Sequence, residues 1–113
     1  MVGSLGIITL TAGTPVRLTV NQTTPANRLG AISVRIQAHP NNAGPVYVGL
    51  ANMEASPLGP GLLGVIAKPV SATTGPYDSF EITINNIPAG LNLADLYVDG
   101  TTSDGVIVSY TAN

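Results

Sequence analysis

Three runs of the chain alternate apolar and polar residues strictly, and this period of two constrains the fold more than anything else in the sequence. In "AISVRIQA" (31–38), Ile32, Val34, Ile36 and Ala38 fall on one side, with Ser33, Arg35 and Gln37 on the other. "PVRLTVN" (15–21) sets Val16, Leu18 and Val20 against Arg17, Thr19 and Asn21. "SFEITIN" (79–85) sets Phe80, Ile82 and Ile84 against Glu81, Thr83 and Asn85. Successive strand side chains point to opposite faces of a sheet, so each run describes a strand with one dry and one wet side. Strands of that kind belong to antiparallel sheets, because buried parallel strands are apolar on both faces.

Five more segments complete the pattern: "LGIITLT" (5–11), "PVYVGLA" (45–51), "LLGVIAK" (62–68), "NLADLYV" (92–98) and "GVIVSYT" (105–111). The breaks between them, such as "HPNNAGP", "SPLGPG" and "DGTTSDG", are rich in Gly, Pro, Asn and Asp, which supply the backbone angles that turns require. No window carries an apolar stripe at helical spacing. About eight short strands at regular intervals predict an all-β, antiparallel β-sandwich. A jelly roll accommodates eight strands, and an immunoglobulin-like sandwich is the alternative. The length of 113 residues fits one such domain over 1–113, with no linker or internal repeat to divide it.

Composition narrows the function. Charged residues make up 9% of the chain, against about 25% in ordinary soluble domains. The polar surface is therefore built from Ser, Thr, Asn and Gly, and a net charge of −2 does little to keep copies apart. That favours a protein that lives in an assembly. The four basic residues, Arg17, Arg28, Arg35 and Lys68, are scattered and make no basic patch for nucleic acid. No apolar run approaches the roughly 20 residues of a membrane span. The opening "MVGSLGIITLTAG" lacks the positive region of a secretory signal, so none is expected. "NQT" at Asn21 matches a glycosylation sequon and carries little weight without such a signal.

Chemistry finds few handholds. There is no Cys, which removes disulfides and thiolate metal sites. His39 is the single histidine and precedes Pro40, a setting typical of turns; no Gly-x-Ser-x-Gly turn presents a serine to it. Asp95, Asp99 and Asp104 crowd into residues 92–110, yet "DGTTSDG" lacks the ligand spacing of a calcium loop, and Asp-Gly is a strong hairpin signal. These acids are expected to trim the closing hairpin of the sandwich, with Asp95 on its first strand. Glu54, Asp78, Glu81 and Asp95 could pair for glycoside hydrolysis, but no aromatic-rich surroundings accompany them and the chain has no Trp. No catalytic residue, metal site or cofactor is assigned, and the chain is not expected to be an enzyme.

Contact residues stand out more than catalytic ones. "EASPLGPGLLG" (54–64) places Leu58, Leu62 and Leu63 among prolines and glycines. As loop residues they would either plug an open end of the sandwich or touch another subunit. Four Tyr and one Phe leave an aliphatic core. Tyr97 falls on the face opposite Leu96 and Val98 and is the aromatic candidate for a subunit contact, while Tyr110 shares a face with Val106 and Val108.

Stretches 13–19 ("GTPVRLT"), 32–51 ("ISVRIQAHPNNAGPVYVGLA") and 75–113 ("GPYDSFEITINNIPAGLNLADLYVDGTTSDGVIVSYTAN") resemble small virion proteins of tailed bacteriophages. The likeness is a pattern of hairpins and is weakest over 52–74. It implies a capsid cement (decoration) protein: a β-sandwich, often a jelly roll, usually a homotrimer, made in the bacterial cytoplasm and bound to the major capsid protein on the outer capsid surface. It carries no active site. The alternative is a tail or fibre component that attaches to host glycans, which would need exposed aromatics and convergent polar groups at one end of the sandwich.

Overall fold

The computed structural model describes residues 2–21, 30–53, 59–67, 79–83 and 91–111. Among these, the strands are β1 (Val2–Thr9), β2 (Val16–Arg17), β3 (Gly30–Ala31), β4 (Ser33–Ala38), β5 (Val46–Gly49), β6 (Leu62–Ile66), β7 (Ser79–Thr83), β8 (Leu91–Asn92), β9 (Tyr97–Gly100) and β10 (Gly105–Thr111). Two four-stranded antiparallel sheets face each other, ordered β1-β10-β4-β7 and β2-β9-β5-β6; β3 and β8 form a small separate pair. If the eight strands of the two sheets are counted in sequence, these orders become 1-8-3-6 and 2-7-4-5. That is the jelly-roll arrangement, in which the first strand lies at the edge of one sheet and pairs with the last. The immunoglobulin alternative fails because its two sheets group consecutive strands differently and do not pair the first strand antiparallel to the last.

Register explains the burial. Cross-strand partners share a face, so the rows Ile8–Val106–Ala38 and Val108–Ile36–Phe80 project inward from the first sheet. Val16–Val98–Val48 and Val46–Ile66 project inward from the second. The resulting core is aliphatic, as the scarcity of aromatics predicts, with Phe80 and Tyr110 packed at its margin. Tyr110 lies above Gly3, where an added Cβ would sit 2.5 Å from the ring. Gly64 plays the same part for Phe80: an added Cβ would be 2.4 Å from the ring, so the missing side chain lets β7 of one sheet close against β6 of the other.

The structure corrects several sequence expectations. Residues 92–98 are not one strand. The Asn92 side chain accepts from Ala94 N and turns the chain into a short 3₁₀ segment, Leu93–Asp95, before β9 begins. Asp95 therefore sits on that segment and not on a strand. The second strand stops at Arg17, because Val20 N donates to Arg17 O at 3.0 Å and closes a turn. Val20 is exposed and Thr19 buried, the reverse of the alternation. A bend at Ile32 delays β4 to Ser33. Leu62 and Leu63 lie on β6 and not in a loop. Finally, β9 and β10 are not a hairpin: they belong to opposite sheets, and residues 101–104 arch between the two layers.

Candidate functional site

That arch is held by the one acid in it. Asp104 is buried and accepts from Ala43 N at 2.9 Å and from Gly44 N at 3.0 Å. Beside it, buried Asn42 donates from Nδ2 to Gly105 O and accepts on Oδ1 from Gly105 N, both at 2.8 Å. His39 belongs to the same corner, its Nδ1 accepting from Asn41 N at 3.2 Å. Asp99 is also buried, and its Oδ1 accepts from Gly100 N at 2.8 Å. No buried side-chain polar atom among the described residues lacks a hydrogen bond. Nor does any group of three or more His, Asp or Glu among them converge as metal ligands would. Asp99 and Asp104 are structural: a buried carboxylate holds its place by saturating backbone donors.

The open chemistry lies on the outer face of the second sheet. Register aligns Arg17 with Tyr97, Tyr97 with Gly49, and Gly49 with Leu62 in one row across four strands. Arg17 Nε and Nη2 both donate to Tyr97 Oη, at 3.1 and 2.9 Å, and its guanidinium carbon stands 5.6 Å from the ring centroid. The phenol thus orients the cation on both counts. Next to this pair, the end of β5 and the 3₁₀ segment bring up Leu50, Asn52, Ala94 and Asp95, enclosing a groove of about 540 Å³. Gly49 cannot carry a side chain here, since an added Cβ would lie 2.4 Å from Gly61 O and 2.7 Å from Met53 Sδ.

A second feature adjoins the groove. Among the described residues β6 is an edge strand of its sheet, as β2 is at the other side, and a bulge between Val48 and Gly49 of β5 shifts its register, passing over Leu63. Leu63 and Val65 are each 47% exposed and Leu50 is 40% exposed. Leu50 N donates to Gly61 O at 2.8 Å, which ties these apolar side chains into one area around the β5–β6 pair.

Of the contact candidates named from sequence, Tyr97 is half-buried and lines the groove, Leu62 is half-buried on β6, and Leu63 is exposed beside it. Leu58 lies outside the described residues. Sequence reasoning missed Arg17, Asn52 and Asp95 as neighbours of Tyr97. The outward place of Arg17 in "PVRLT" and of Tyr97 in "LYVD" was available from alternation; the register that joins them, 80 residues apart, was not. Compared with protein families, curated proteins and solved structures, the chain matches no family model, no curated protein and no solved structure.

Proposed function

We propose that the protein is a structural component of a bacteriophage virion, a capsid cement protein that binds the major capsid protein on the outer surface at junctions between capsomers. In this reading it assembles as a homotrimer after synthesis in the bacterial cytoplasm. The observation that carries the reading is the uncharged edge of the second sheet. Edge strands of free-standing sandwiches are often blunted by charge, whereas β6, apart from its bulge at Leu63, reads Leu-Leu-Gly-Val-Ile with no charge and two of its apolar side chains exposed. Such an edge is a liability on a solitary protein and an asset on one that is covered in an assembly. The resemblance of the sequence to phage virion proteins is the other support for this reading, although its last two strands do not form the expected hairpin.

The energetics are those of linkage. A protein that binds the assembled shell and not free subunits stabilises the shell by mass action. Three copies closed around a symmetry axis repeat one contact three times without leaving an open end. The test combines sedimentation of the purified protein with binding to expanded capsids. A trimer that saturates the shell at its three-fold and quasi-three-fold axes supports the proposal. A protein that stays monomeric and leaves capsids bare refutes it. Labelling of a few copies at one vertex assigns it to a tail or fibre instead.

A further inference from the structure

The groove on the second sheet has a composition that selects its ligand. One guanidinium, one carboxylate, one carboxamide and one phenol surround a small apolar floor of Leu50, Ala51 and Ala94. Its volume of about 540 Å³ is that of a small-molecule site, in the range of roughly 300–1,000 Å³. Arg17 directs two of its donors to one oxygen, Tyr97 Oη, and a guanidinium has five. The one ion pair among the described residues is Arg35–Glu81, on the other sheet, so Arg17 and Asp95 line the same groove without neutralising each other.

That mixture works against ions of either sign. An anion drawn to Arg17 meets Asp95, and a cation drawn to Asp95 meets Arg17. A neutral polyol meets no such conflict: its hydroxyls accept from Arg17 and Asn52 and donate to Asp95, because a hydroxyl does both. The apolar side of a pyranose ring finds Leu50 and the Tyr97 ring, an aromatic with a polar tip. A peptide that binds by adding a strand finds no free edge on β9, which has β2 on one side and β5 on the other, and at β2 only the two residues Val16–Arg17 to pair with.

We propose that the groove formed by Arg17, Leu50, Asn52, Asp95 and Tyr97 binds an uncharged sugar residue of a glycan. The proposal does not rest on the capsid reading, although Leu50 borders both this groove and the apolar edge at β6.

The test is a titration of the isotope-labelled full chain, followed by NMR. The probes are glucose, galactose, mannose, fucose and N-acetylglucosamine, each as the free sugar and as a short oligosaccharide, beside glucuronate and N-acetylneuraminic acid. The Arg17 Nε–H, the Asn52 side-chain amide and the Tyr97 ring signals are expected to move saturably with at least one neutral sugar. Asp95→Asn, an exposed substitution, should weaken that binding about tenfold by removing a charged acceptor, with the rest of the spectrum unchanged. Arg17→Gln should do the same, and the Asp95 variant alone decides if Arg17→Gln does not fold. The proposal is overturned if no neutral sugar moves these signals, or if only the acidic sugars do. It is equally overturned if the signals respond only to protein concentration, which would make a second copy the occupant.

Discussion

At the scale of single residues, the molecule's polar chemistry is divided between a buried clamp and an open pair. Asp104 and Asn42 form the clamp. Between them they satisfy three backbone N–H groups and one carbonyl that join the β4–β5 loop to the start of β10, some 60 residues away. Asp104→Ala would strand the buried Gly44 amide, at about 1–3 kcal/mol for a group left unsatisfied, and hand the exposed Ala43 amide to water. Asn42→Ala would leave the Gly105 N–H without its acceptor at a comparable cost, while Gly105 O keeps the bond from His39 N at 3.0 Å. Because both residues fix the same pair of loops, the double variant should lose less than the sum of the two single losses. Urea unfolding of the four proteins measures this; a fully additive result would show that the two side chains act separately. None of this was legible in "DGTTSDG". The local signal of an Asp-Gly turn is the same whether the acid faces water or receives two amides from a distant loop, and only the fold decides which.

At the scale of elements, the strands that the alternation located well are those buried on one face along their whole length. β4 and β10 are the examples: Val34, Ile36 and Ala38, or Val106 and Val108, have no second way to leave water. Where a local side-chain bond competes, the pattern misleads. Asn92 capping Ala94 N breaks the apparent strand 92–98, and the turn at Arg17–Val20 spends a residue pattern that looked like strand. β6 was located as a strand within 62–68, but its two leucines were assigned to the preceding loop, so its place at an edge of the described sheet went unread. That edge supports a clean separation of folding from association. Leu63→Lys and Val65→Lys replace side chains that are about half exposed, and each should change folding stability by no more than about 0.5 kcal/mol. Each places a charge of the kind that blocks edge pairing. Unfolding midpoints should therefore stay put while sedimentation shows dissociation and capsid binding falls. Variants that associate as well as the parent would remove β6 from any subunit contact.

At the scale of the whole molecule, the jelly roll ties the two ends of the described chain together. Val2 lies opposite Thr111, and the pairing continues to Thr9 opposite Gly105. β10, the last described strand, sits between β1 and β4, so the first sheet cannot form until residues 105–111 arrive. Contacts this distant in sequence carry a large loop-closure cost before they return any burial, which places folding in the slow range of milliseconds to seconds typical of non-local β proteins. A circular permutant tests the point directly. Antiparallel partners stand about 5 Å apart at Cα, so a short Gly/Ser linker can join the present ends, and new ends can open between Ala12 and Gly13, both exposed. The β1–β10 pair then becomes a local hairpin, and the cost of closing it moves elsewhere in the chain. If that closure limits folding, the permutant folds at least about tenfold faster, and its unfolding rate, set by the unchanged core, moves little. Stopped-flow folding and unfolding in urea give both rates. A permutant that folds no faster would place the barrier in the pairings whose spans the permutation leaves unchanged, β10 with β4 or β9 with β2 and β5.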